Sequence, residues 1–191
     1  VPEAYHRLWQ LYAEGGWLSV SDSPDVGGQG FPAIIAAAVS QMFLAGNQAF
    51  LMYPGLTHGA ARLVEDFFQH PLRDLILEKM VSGEWTGTMC LTEPQCGTDL
   101  GLLRTKAEPQ ADGSYKLTGQ KIFISAGDHE ICDNIVHLVL ARLPDAPAGS
   151  KGISLFVVPK FVVKADGSLG ERNPVYCGAI EHKMGIHGSP T

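Results

Sequence analysis

The chain has 191 residues, 45% of them hydrophobic, and a formal net charge of −6. Such a composition belongs to a globular protein with one sizeable core or two small packed layers, and it excludes a disordered chain. The acidic balance, with no run of Lys or Arg to neutralise successive phosphates, argues against nucleic acid as a partner.

In chain order, Ala4 to Glu14 predicts a short amphipathic helix, with Tyr5, Leu8, Leu11 and Tyr12 at helical spacing and Gly15-Gly16 as its stop. The Gly-rich loop from Ser21 to Gly30 fits neither a P-loop nor a dinucleotide fingerprint and reads as a turn. From Val26 to Ala61 there is no Asp, Glu, Lys or Arg. That run has the length of a membrane span, but Ser40, Gln41, Asn47 and Gln48 interrupt it and basic flanks are missing. The expectation is therefore a buried bundle helix, ended by Pro54-Gly55, and no membrane span. A further helix is predicted from Leu56 to Gln69, with Leu56, Ala60, Leu63, Val64 and Phe67 inward. Another follows Pro71, using Leu72, Leu75, Ile76, Leu77, Met80 and Val81, and Ser82-Gly83 closes the helical part.

After Glu84 the hydrophobic period changes. Short β-prone runs are predicted at Thr86–Thr92, Leu103–Ala107, Tyr115–Ser125, Ile135–Arg142, Ile153–Pro159 and, more weakly, Val175–Ile180. Asp112-Gly113 and Asp166-Gly167 mark tight turns. The fold class is α+β: an N-terminal helical bundle portion over residues 1–83, then a small antiparallel β-barrel or sandwich over residues 84–191. Cys90, Cys96, Cys132 and Cys177 show no C-x-x-C spacing, so no metal site is expected and the thiols read as free in a reducing compartment. The chain opens at Val1 without Met and ends on Ser189-Pro190-Thr191, which reads as a fragment.

The chemistry concentrates in Met89-Cys90-Leu91-Thr92-Glu93-Pro94-Gln95-Cys96-Gly97-Thr98-Asp99, an apolar run that stops in a turn. Pro94 fixes its own φ and keeps Glu93 out of the helical region, while Gly97 leaves room for a ligand near the backbone. N–H groups that leave a strand here need new acceptors, which a polar ring or phosphate can supply. This stretch resembles the signature of the acyl-CoA dehydrogenase flavoproteins, roughly L-T-E-P-x-x-G-S/T-D. Leu117-Thr118-Gly119-Gln120-Lys121-Ile122-Phe123-Ile124-Ser125 is similar to the family's second flavin-contacting strand. The likeness continues through Lys151-Gly152-Ile153-Ser154-Leu155-Phe156-Val157-Val158-Pro159 and Glu181-His182-Lys183-Met184-Gly185-Ile186. One such motif alone is weak, whereas four in family order are strong. The long Lys160–Ala179 stretch resembles the large bacterial branch of the family, which includes methylthiopropionyl-CoA dehydrogenases.

The resemblance implies FAD as cofactor and α,β-dehydrogenation of an acyl-CoA thioester to the trans-2-enoyl-CoA. Hydride would pass to flavin N5 and electrons to an electron-transfer flavoprotein. It implies flavin contacts from Met89, Leu91, Thr92, Gly97, Thr98, Phe123, Ile124 and Ser125, with Ser125 close to N5. Where the commonest members carry Trp and Thr, this chain has Phe123 and Ser125. Thr98 and Ser150 fall where relatives meet the thioester and the CoA chain. Glu93 tempts as a general base, but the family's motif glutamate is structural. The family's base is a glutamate in a C-terminal helical bundle, so no catalytic residue is expected in this chain, which by itself would hold FAD weakly and not turn over. A homo-oligomer (dimer or tetramer) and a bacterial cytoplasmic location go with the family. The alternatives are an acyl-CoA oxidase or flavin monooxygenase of the same fold, or a non-catalytic α+β binding module.

Overall fold

The computed structural model describes residues 1–189; Pro190 and Thr191, the last two residues of the expected β-region, lie outside them. Helix α1 (Ala4–Glu14) buries Tyr5, Trp9 and Tyr12. Leu11, expected inside, is exposed, because the buried stripe passes through Trp9, whose indole N–H donates to the Gly83 carbonyl at 2.9 Å. Tyr5, Trp9 and Tyr12 meet Phe50 edge-on with ring centroids 5.4, 6.4 and 5.6 Å away, the geometry that the ring quadrupoles favour.

Helix α2 runs from Ala33 to Phe67, with a break at Asn47, where φ is −158° and ψ 93°. Here the sequence expectation is corrected: Pro54-Gly55 does not end the helix, and Leu56–Gln69 is not a separate one. Asn47 acts as a cap for the second half, its side-chain oxygen accepting from Phe50 N–H at 3.0 Å and from Tyr5 Oη at 3.1 Å. Pro54 is tolerated inside the helix, in the second turn after this cap. The two halves differ in burial. Phe50, Leu51, Tyr53, Ala60, Ala61 and Val64 are buried, whereas nothing between Ala33 and Gly46 is. The buried bundle helix expected for the charge-free run is thus only half realised in this chain. By length and composition α2 could cross a membrane. The break at Asn47 leaves its uncharged first half shorter than the about 20 residues a bilayer core requires. Phe67, expected inward, is also exposed.

Helix α3 (Arg73–Ser82) buries Ile76, Leu77, Met80 and Val81 and stops at Gly83, whose φ of +85° suits a residue without Cβ. The strands follow: β1 (Trp85–Cys90), β2 (Lys106–Pro109), β3 (Tyr115–Thr118), β4 (Asn134–Arg142), β5 (Ile153–Pro159), β6 (Phe161–Val163) and β7 (Leu169–Arg172). Strand β4 is the centre. It lies parallel to β1, with Trp85 opposite Asn134 and Cys90 opposite Val139, and antiparallel to β5, with Val136 opposite Pro159. At its far end Arg142 meets Lys106 of β2, which pairs with β3 as a hairpin.

The sheet is therefore mixed, which corrects the expected all-antiparallel pairing, and it does not close into a barrel among the described residues. Period-two alternation reports which face is buried, not strand direction. Here the long connection from β1 to β4 permits a parallel pair. The run Ile135–Val139 is buried on both faces, as central strands covered on both sides require. No strand forms at Val175–Ile180; β6 and β7 pair instead around Asp166-Gly167, with Asp166 Oδ1 accepting from Ser168 N–H at 3.0 Å. One face of the sheet packs on α2 and α3, and Gly87 is the point of closest approach. A Cβ there would meet Ala60 Cβ and Met80 Cε at 2.6 Å each, and Gly87 N–H donates to Thr57 Oγ1 at 3.0 Å.

Candidate functional site

The site grows from the end of β1. Its ladder with β4 finishes at Cys90, and the chain turns at Pro94. Glu93 closes that turn with reciprocal backbone bonds, its N–H to the Cys96 carbonyl at 2.8 Å and Cys96 N–H to the Glu93 carbonyl at 3.0 Å. Its carboxylate is only 3% exposed and saturated with donors. Oε1 accepts from Thr105 Oγ1 at 2.5 Å, Thr105 N–H at 3.0 Å and Lys121 Nζ at 2.9 Å. Oε2 accepts from Arg104 N–H at 2.8 Å and Gln95 Nε2 at 2.5 Å. Burial on its own raises the Glu93 pKa; the hydrogen bonds, led by the Thr105 hydroxyl, outweigh it and bring it down to about 2. A carboxylate so held stays ionised at neutral pH and has no free lone pair for a substrate proton. Glu93 is a clamp.

Lys121 carries the clamp to the second motif. Besides Glu93 it donates to the Leu91 carbonyl at 3.1 Å, and the next residue, Ile122, donates its N–H to the Thr92 carbonyl at 3.0 Å. The expected strand Tyr115–Ser125 ends at Thr118, so residues 119–125 leave the ladder and fold over the end of β1. Gly119 allows the crossing, since a Cβ there would sit 2.3 Å from Thr105 Oγ1. Phe123 then takes φ +59° and Ala126 φ +54°, left-handed conformations that cost a non-glycine residue free energy and tend to cluster at working sites. Phe123 stands 51% exposed on this turn, with Ile124 and Ser125 half-buried beside it.

The structure thus joins Leu91 and Thr92 to the Phe123–Ser125 loop. Met89, half-buried, lies one strand position back and packs on the core beneath α2 and α3. Neither Leu91 nor Phe123 lies in a strand, contrary to the expected alternation. Gly97 and Thr98 are exposed on the outer limb of the turn. Ser150 opens the turn Ser150–Gly152 and is exposed. Arg142 bridges the loop before this turn and the segment after the first motif, donating to the carbonyls of Pro147 at 3.2 Å, Leu103 at 2.9 Å and Gly101 at 2.8 Å. The sequence reading missed Thr105, Arg104 and Arg142. Their role rests on long-range donation to one carboxylate or to carbonyls, which leaves no spacing signal.

The last described stretch also reaches the site. Ala126 N–H donates to Ser189 Oγ at 3.0 Å, Tyr53 Oη to the Gly188 carbonyl at 2.9 Å, and Lys183 Nζ to Ser125 Oγ at 3.4 Å. Past the Phe123 loop the far face of the sheet opens into a groove of about 1680 Å³, floored by His137, Val139, Phe156 and Val158. His137 Nδ1 sits 2.7 Å from Thr88 Oγ1 and His129 Nε2 3.1 Å from Thr86 Oγ1. Burial holds both imidazoles neutral, with pKa values pushed down to about 4 and about 3; Lys160 adds to the effect on His129.

Comparison with known proteins agrees with this geometry. Residues 88–191 match the family model for the acyl-CoA dehydrogenase middle domain. Over 191 residues, all of this chain, it is 42% identical to 3-methylmercaptopropionyl-CoA dehydrogenase of Ruegeria pomeroyi and covers 32% of that protein. It is 41% identical to a butyryl-CoA dehydrogenase of Syntrophomonas wolfei, covering 100% of this chain and 31% of the relative. The chain therefore spans about a third of the length of the curated relatives it matches. Among solved structures, butyryl-CoA dehydrogenase from Megasphaera elsdenii superposes with a TM-score of 0.77 at 25% identity, over 100% of this chain and 46% of that one. An acyl-CoA dehydrogenase complexed with FAD from Bacillus anthracis gives 0.74 at 26% identity, over 97% of this chain and 29% of that one. The turn after β1, the loop folded over it and the family match across both converge, and the chain belongs to the acyl-CoA dehydrogenase family.

Proposed function

We propose that this chain forms the sheet-side wall of the site of an FAD-dependent acyl-CoA dehydrogenase, acting on an acyl-CoA thioester to give the trans-2-enoyl-CoA. The observation that carries this reading is the bond from Ile122 N–H to the Thr92 carbonyl, which with Lys121 brings two distant motifs to one edge. The residues present fit a flat, partly polar ring system. Phe123 offers an exposed aromatic face on a strained turn, Leu91 an apolar neighbour, and Thr92 and Ser125 two hydroxyls. Bound there, FAD supplies the acceptor for the hydride that leaves the substrate β-carbon.

The chain's own residues do the rest. Phe123, Ile124 and Leu91 exclude water, while Thr92 and Ser125 orient the ring by hydrogen bonds. Met89 packs on the core and anchors the end of β1 that carries Leu91 and Thr92. Gly97 gives the backbone room, and Thr98 and Ser150 face the thioester and CoA side. The Glu93–Lys121–Thr105 clamp keeps this geometry fixed. Glu93 is fully engaged and does not serve as the base; we assign removal of the α-proton to a glutamate of the C-terminal helical bundle that the family resemblance implies. An electron-transfer flavoprotein as acceptor, a homo-oligomer in which the bare half of α2 is covered, and a bacterial cytoplasmic setting belong to the same reading.

The test is a visible absorption spectrum of the protein with added FAD, before and after anaerobic butyryl-CoA. The 191-residue chain is expected to take up FAD weakly, with the ring spectrum perturbed but not bleached. The same residues within a polypeptide of the relatives' full length are expected to give bleaching. A spectrum identical to free FAD in both would sink the flavin reading. Oxygen consumption in place of reduction of an electron-transfer flavoprotein would replace the dehydrogenase by an oxidase.

A further inference from the structure

The stretch from Glu181 to Ser189 straps the loop that carries Phe123 and Ser125. At its far end it is held twice, by Tyr53 Oη donating to the Gly188 carbonyl at 2.9 Å and by Ala126 N–H donating to Ser189 Oγ at 3.0 Å. Gly188 fits because a Cβ there would stand 2.5 Å from Tyr5 Oη. At its near end Lys183 Nζ lies 3.4 Å from Ser125 Oγ. Lys183 is half-buried; burial lowers its pKa, and Glu181 nearby partly offsets this.

The direction of this contact has a consequence. An ammonium group has three donors and no acceptor, and a hydroxyl has one donor and two lone pairs. Lys183 can only donate, so it occupies a lone pair of Ser125, and the Ser125 O–H must point away from the lysine. We propose that Lys183 is a positioning residue that turns the Ser125 hydroxyl into an outward donor and places positive charge behind it. This inference rests on the flavin reading above. A ring nitrogen meeting Ser125 then finds a polarised donor rather than a hydroxyl free to rotate. The charge behind the donor favours the electron-rich, reduced ring over the oxidised one, because hydrogen bonds backed by an ion are about twice as strong as neutral ones.

The experiment compares flavin-loaded wild type with Lys183→Met, Lys183→Gln, Lys183→Arg, Ser125→Ala and the Ser125→Ala/Lys183→Met double variant. The readout is the flavin midpoint potential, with circular dichroism as the check on folding. Lys183→Met and Lys183→Gln are expected to lower the ratio of reduced to oxidised flavin affinity about tenfold. That is a shift of about −30 mV for a two-electron couple. Lys183→Arg should restore most of the shift. In the Ser125→Ala background, Lys183→Met should change the potential by less than a third as much, since the relay is already cut. A full shift in that background, or no shift in folded Lys183→Met and Lys183→Gln, overturns the relay. Wild type that holds no flavin overturns the functional reading itself, a result distinct from wild type that holds flavin at a potential indifferent to Lys183.

Discussion

The two halves of α2 share one helix, yet they live in different surroundings. After Asn47 the helix lies on the sheet, with Phe50 1% and Val64 1% exposed. Before it, Ile34 is 75% and Met42 74% exposed, and Phe31 just ahead of the helix is 50% exposed. Apolar surface of this extent on a soluble protein marks contact with something else. The lesson is that a charge-free run announces burial without saying where the burying partner is. The second half finds its partner within the chain, whereas the first half meets it mainly through Phe43, which packs on Tyr12 and Trp17.

That contrast can be broken by mutation, and the largest effect should come from its covered side. Phe50→Ala removes a ring that meets Tyr5, Trp9, Tyr12 and Tyr53, and should cost about 3–5 kcal/mol in urea unfolding. A cost below about 1 kcal/mol would mean the aromatic cluster is not a core. Glu93→Gln should cost about 3 kcal/mol at pH 7, from a carboxylate pKa held at about 2 instead of 4.5. Because the folded value is the lower one, this contribution is whole above about pH 4.5 and is lost as pH falls towards 2. Wild type and variant should therefore converge in acid, and parallel stabilities from pH 7 to pH 3 would contradict the clamp.

Gly87→Ala forces a methyl against Ala60 and Met80, and should cost about 1–3 kcal/mol by overpacking the contact between α2 and the sheet. The buried imidazoles supply an acid effect that sets in earlier. Their folded pKa values, about 3 for His129 and about 4 for His137, lie below the ordinary 6.5. The unfolded chain therefore binds protons first, and stability should begin to fall below about pH 6.5. His137→Gln should flatten that limb of the urea-midpoint curve. The smallest effect is expected on the bare side: Ile34→Ser should change the stability of this chain by no more than about 0.5 kcal/mol. A loss comparable to Phe50→Ala would mean that this half is covered in solution, by a second copy for instance, and concentration-dependent sedimentation would then show it.

Much was readable from the residues alone. Helices α1 and α3, strand β5 and all but the first residue of β4, and the Asp-Gly turns follow from periodicity and turn chemistry, which are local. The two site motifs were legible through their resemblance to family signatures, with Pro94 and Gly97 marking the turn in the first. Tertiary structure decided the remainder, for reasons of distance along the chain. Alternation could not say that β1 and β4 run parallel, because side-chain burial is the same for either direction. Composition could not say that Asn47 rather than Pro54 breaks α2, because the break depends on Tyr5 and Phe50 N–H reaching one amide oxygen. Nor could spacing reveal that Glu93 is saturated by Arg104, Thr105 and Lys121, or that Lys183 stands behind Ser125. Local backbone preference is written residue by residue, whereas the protonation of a carboxylate and the direction of a hydroxyl belong to whatever the fold brings within 3 to 4 Å of them.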